Sequence, residues 1–143
     1  MKKLFILIIT LLIIFIILIY AYFNALKFEK NMIKQYNSEY EVYLNKKITG
    51  AEITSLVNKI IDNNEKNKIA KDENGFYVEN DINSILMQIK IADNDTLYNI
   101  ETLYGAGMVN FLKYYDSVLF ECKQIKYNSL GKVNYIYFEQ ILN

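Results

Sequence analysis

The chain has 143 residues, 52% of them hydrophobic and 22% charged, with 16 Lys, no Arg, 16 acids and a formal charge of zero. That length suits one domain of ordinary size, and the even charge lacks the concentrated positive footprint that nucleic-acid binding needs. With no His and only Cys122, the usual zinc sets, His-based triads and an intramolecular disulfide are excluded.

Apolar and charged residues are segregated along the chain. Leu4 to Phe23 carries no charged side chain, whereas outside Lys2 and Lys3 the rest sets 14 Lys against 16 acids, a balance of −2. Twenty helical residues span roughly 30 Å, the thickness of a bilayer's hydrocarbon core. Thr10 is the one polar side chain deep in the run, and its hydroxyl can bond back to a carbonyl of its own helix. Tyr20, Tyr22 and Phe23 stand at the far end, where aromatic rings favour the interface. Residues 1–23 therefore read as a transmembrane anchor in the lipid bilayer of the cell membrane. A cleaved signal peptide is the rival, but the run exceeds the usual apolar length. Ile19 or Phe23 would also fall where the peptidase wants a small residue. Lys2 and Lys3 on one side and Lys27, Lys30 and Lys34 on the other give almost no orientation by charge. The short N-terminal tail is the easier segment to leave inside, so the head is expected to be extracytoplasmic.

No Pro or Gly occurs before Lys47, and Leu26, Tyr36, Tyr40, Tyr43 and Leu44 recur at helical spacings. The spacing predicts one helix continuing through a spine, residues 24–45, to about Leu44, a rod of roughly 60 Å. Residues 46–143 form the head. Thr49 followed by Glu52 is a capping box, and Ile53, Leu56, Val57, Ile60 and Ile61 mark one face of a helix over about 50–64.

The period then changes from 3.6 to 2. A turn at 72–75 leads into a strand at 76–78, followed by a hairpin over 85–100 with Ile85, Met87, Ile89 and Ile91 on one face. Tyr104, Met108, Phe111, Leu112 and Tyr115 return to helical spacing. Strands at 118–127 and 133–138 close the chain, with a bulge expected near Lys123 where the alternation slips. The fold class is α+β: a long N-terminal helix, then a head with a mainly antiparallel sheet of about five strands and two helices.

Little in this inventory supports chemistry. Asp93 and Asp95 resemble the opening of a calcium loop but lack its Gly and distant Glu, so they read as a turn. Ser55 and Ser84 have no His partner, and Cys122 falls on an apolar alternation as a buried thiol. No catalytic, metal or cofactor-binding residue is assigned, and the chain is not expected to be an enzyme. Thirteen Tyr suit contact surfaces instead. Tyr36, Tyr40 and Tyr43 form the candidate interface, with an exposed sheet edge shielded by Lys123, Lys126 and Lys132 as the other.

The order of parts, an apolar N-terminal helix continuing as a spine and then a small sheet head, resembles that of pilin-like proteins of the type IV and tight-adherence kinds. The run Lys47-Ile-Thr-Gly50-Ala-Glu-Ile-Thr-Ser-Leu56 is similar to a segment that follows the spine in such proteins. The resemblance implies a subunit that uses its apolar helix as an anchor and then as a filament core, with no catalytic residue. Two features of that pattern differ here: Lys3, not Gly, precedes the apolar run, and the first acid is Glu29. The expected function is a single-pass, membrane-anchored structural or assembly component, its partners the bilayer and other protein subunits, its own or those of an assembly machinery. The alternative is a membrane-tethered extracytoplasmic binding or sensing module.

Overall fold

The computed structural model describes residues 2–142. Helix α1 covers Lys2–Glu41. The chain divides into two compact units, Met1–Gln35 and Tyr36–Asn143. The boundary falls inside α1 because Tyr36, Asn37 and Tyr40 pack with the residues that follow.

In the first unit every side chain from Leu4 to Phe23 is exposed. Two of its polar side chains bond back to the helix itself. The Thr10 hydroxyl donates to the Ile6 carbonyl at 2.9 Å, and the Asn24 amide donates to the Tyr20 carbonyl at 2.9 Å.

The second unit is the α+β head. After the last turns of α1 come β1 (Lys47–Thr49), α2 (Gly50–Lys66), β2 (Leu86–Ile91), β3 (Thr96–Asn99), α3 (Ile100–Leu103), α4 (Ala106–Tyr115), β4 (Leu119–Tyr127) and β5 (Val133–Gln140). The strands form one sheet in the order β1-β4-β5-β2-β3. Three pairings are antiparallel, and β5 runs parallel to β2 with Met87 opposite Ile136. The sheet is therefore mixed. Alternation along a strand encodes which face is buried and says nothing of the neighbour's direction.

Local chemistry explains the other departures from periodicity. Helix α1 stops at Glu41, where Tyr43 and Leu44 donate to the Tyr40 and Glu41 carbonyls in tighter i−3 bonds. Asn45 then turns the chain through a left-handed conformation, φ 59°, into β1. The expected strand at 76–78 is reduced to a single bridge, Lys71 to Tyr77. Asp72 holds that turn through the amides of Asn74 and Phe76, and the segment joins no other strand. The helix expected from Tyr104 starts at Ala106 as α4, and the short α3 precedes it, the two separated at Gly105, whose φ of 75° suits glycine. The β4 register shifts between Cys122 and Gln124, so Lys123 is the bulged residue.

One face of the sheet carries the core. Ile53, Val57 and Ile60 of α2 are buried with Met87, Ile89, Phe120, Ile136 and Phe138 of the sheet and Phe111 of α4. Helix α2 begins with Thr49 accepting from the Glu52 amide while the Glu52 carboxylate accepts from the Thr49 amide at 2.8 Å. Gly50 follows because the backbone of α4 lies against it: a β-carbon there would sit 1.9 Å from the Tyr115 carbonyl oxygen.

Buried amides stitch the elements together. Asn64 donates to the Ile85 carbonyl at 2.7 Å and accepts from the Ile85 N–H at 3.0 Å. Asn37 does the same for β5, donating to the Gly131 carbonyl and accepting from the Val133 N–H. Each supplies a donor and an acceptor to backbone groups that the sheet leaves unmatched.

Candidate functional surfaces

The apolar part of α1 is the first candidate. It is long and apolar enough to cross a membrane, and none of its apolar side chains from Leu4 to Phe23 is covered by the chain. With the Thr10 hydroxyl, its one polar group far from the interface, already bonded to a helix carbonyl, it is compatible with single-pass anchoring in a medium that offers no hydrogen bonds.

The tyrosine stripe behaves differently. Tyr40 is only 2% exposed, and Tyr36 and Tyr43 are half-buried against the core. The Tyr36 and Tyr40 rings lie 5.4 Å apart, and Tyr43 meets Phe138 edge-on at 6.3 Å. The Tyr36 hydroxyl donates to the Val133 carbonyl, while Lys59 lies 5.0 Å over the Tyr40 ring and pairs with Glu39 at 2.7 Å. Burial, reinforced by Glu39, pushes the Tyr36 phenol up to about 12. Burial raises Tyr40 as well, with Tyr36, Glu39 and Tyr43 adding to it. Of the three, Tyr40 is buried in the head and presents no free surface, while Tyr36 and Tyr43 each keep part of theirs exposed.

The opposite face of the sheet is uncovered. Leu86, Gln88 and Lys90 of β2 and Tyr135, Tyr137 and Glu139 of β5 are all half-exposed. The register sets Gln88 beside Tyr137 and Asn99, and Tyr135 beside Lys126. The Tyr135 hydroxyl donates to Gln88 Oε1 at 2.8 Å, and Gln88 Nε2 donates to Asn99 Oδ1 at 2.9 Å. The Lys126 ammonium lies 4.6 Å from the centre of the Tyr135 ring. At one end Lys90 pairs with Asp95, and at another Lys123 pairs with Glu121, contacts that lower both carboxyl groups below their usual range. This tyrosine and amide surface is held rigid by its own bonds. The even-numbered polar residues of β2 were visible in the sequence, but the register that joins them to β5 was not.

Acids and clefts offer little further. A cleft of about 560 Å³ is lined by Asp93, Lys113, Asp116, Ser117 and Gln140. Its Asp93 carboxylate already accepts from the Gln140 amide at 2.6 Å, and that amide's oxygen is taken by the N–H groups of Ala92 and Asp93. Asp93 and Asp95 lie in the β2–β3 turn, with Asp95 at φ 57°. Among the described residues no three acids or thiols converge as a metal set. Cys122 is fully buried, and burial pushes its thiol up to about 11, so the nucleophilic thiolate is scarce. Thr49 and Glu52 are engaged with each other as the helix cap. The β4 edge is open beyond Cys122, since β1 pairs with it from Leu119 to Glu121, Leu44 bridges to Cys122, and Lys123 and Lys126 follow.

Compared with known proteins, the chain matches no family model, no curated protein and no solved structure.

Proposed function

We propose that the chain is a single-pass, membrane-anchored, non-catalytic component that works by protein–protein association, pilin-like in shape, with its head outside the cytoplasm. The observation that carries the reading is the uncovered apolar run Leu4–Phe23 in the same chain as a folded head. The order of parts supports the pilin-like likeness, and a head with few free reactive groups and many tyrosines suits contact better than chemistry. The alternative, a tethered binding or sensing module, draws on the open sheet face with Tyr135, Tyr137 and Gln88, whose ordered polar groups suit recognition.

Photo-crosslinkers placed at Lys126 and Tyr137 in intact cells separate the two. Ladders of the chain with itself support a structural subunit, and one discrete heterologous adduct supports a receptor-like module. Retention of full-length protein in membranes after alkaline carbonate washing tests the anchor. A soluble product beginning near Tyr22 or Leu26 would instead identify a cleaved signal.

A further inference from the structure

We propose that Lys27, Lys30 and Lys34 form a docking stripe for anionic phospholipid headgroups just beyond the apolar run of α1. The inference rests on the anchoring reading above and adds a headgroup preference to it. Spacings of three and four residues put the three ammonium groups along one side of the helix, and all three side chains are exposed. No acid stands three or four residues from any of them. Glu29, the one acid nearby, has Ala25, Leu26, Met32 and Ile33 as its helical neighbours.

Most head lysines have a partner. Lys59, Lys90 and Lys123 each pair with a carboxylate, and Lys46, Lys71, Lys113, Lys126 and Lys132 sit over tyrosine rings, while Lys47, Lys66 and Lys68 show neither among the described residues. Among the described residues Lys27, Lys30 and Lys34 form no ion pair and no ring contact. Lys30 instead faces like charge on both sides, Lys27 one turn before and Lys34 one turn after, which strains the helix in water. A plane of lipid phosphates supplies the missing counter-charge.

Position makes the fit specific. The aromatic residues Tyr20, Tyr22 and Phe23 mark the water interface. At 1.5 Å per residue, Lys27, Lys30 and Lys34 stand ~6, ~10 and ~16 Å past Phe23 along the axis. Attraction to a charged surface decays over a Debye length of ~8–10 Å, so Lys27 contributes most and Lys34 least.

The test reconstitutes the full-length chain in phosphatidylcholine vesicles and measures the lipid held at its surface. The probes are spin-labelled phosphatidylglycerol and spin-labelled phosphatidylcholine. Each lysine at the surface favours the anionic probe by up to ~5-fold at low salt. The expected result is a severalfold preference that falls in high salt and drops in the Lys27→Gln/Lys30→Gln/Lys34→Gln variant to what Lys2 and Lys3 supply. Single variants should lose preference in the order Lys27, Lys30, Lys34. Restricted lipid with an unchanged preference in the triple variant overturns the docking stripe and leaves the anchor intact. Absence of restricted lipid for both probes overturns the anchor itself.

Discussion

Phe15 and Phe120 are the same side chain in opposite settings, the first 61% exposed and the second fully buried. The contrast holds across their regions. In residues 4–23 every apolar side chain faces outward, whereas in the head Ile, Leu and Phe gather on one sheet face under α2 and α4. Hydrophobicity alone does not distinguish them. Patterning does, because the head alternates apolar and polar positions at periods of 2 and 3.6, while the N-terminal run has no polar face to turn outward. A segment without a polar face cannot be satisfied by one neighbour in its own chain, so its complement has to surround it.

The widest separation of the two regions comes from charging the first. Ile9→Lys, Ile13→Lys and Ile16→Lys together cost about 3 kcal/mol each at mid-membrane depth. The triple variant should leave the membrane fraction while the thermal midpoint of its head stays unchanged. A head that melts with the anchor would break the comparison. Phe120→Ala is the converse and should destabilise the head by about 3–5 kcal/mol in detergent without changing membrane retention. Phe15→Ala should leave that same unfolding transition where it is.

Smaller effects sharpen the picture within the head. Thr49→Ala removes the acceptor for the Glu52 amide and should cost about 1 kcal/mol, read as a lower denaturant midpoint. The last effect is a pH dependence. The folded-state values of Tyr36 and Tyr40 are raised above those of the unfolded chain, so the folded head holds these protons more tightly. The Tyr36 contribution is fully present below about pH 10, the unfolded value, and is lost as pH rises through about 12. Tyr36→Phe should flatten that alkaline loss in a denaturant series, and an unchanged slope would place Tyr36 in water.

The helices were largely legible in the sequence because their signals are local. Thr49 and Glu52 announced the start of α2, and the slip in alternation after Cys122 announced the bulge at Lys123. Strand β1 was hidden because three residues, Lys47–Thr49, carry no measurable period. The buried amides were hidden too: Asn37 and Asn64 act on carbonyls and amides 94 and 21 residues away, in a chain where Asn is common on every surface. The open sheet face was half visible, since Gln88 and Lys90 declare a polar side, but only long-range register brings Tyr135 to Gln88.

Strand β5 also sets the timetable of folding. Among the described residues it is the strand that joins β4 to the β2–β3 hairpin, and it follows both in the chain. As the chain leaves the ribosome, β2 and β3 can pair with each other, but their sheet has no continuation until Val133–Gln140 has been made. Joining residues so far apart in sequence is slow relative to local helix formation. A stop between β4 and β5 would leave two half-sheets, β1–β4 and β2–β3, with unpaired edges rather than a smaller version of the fold.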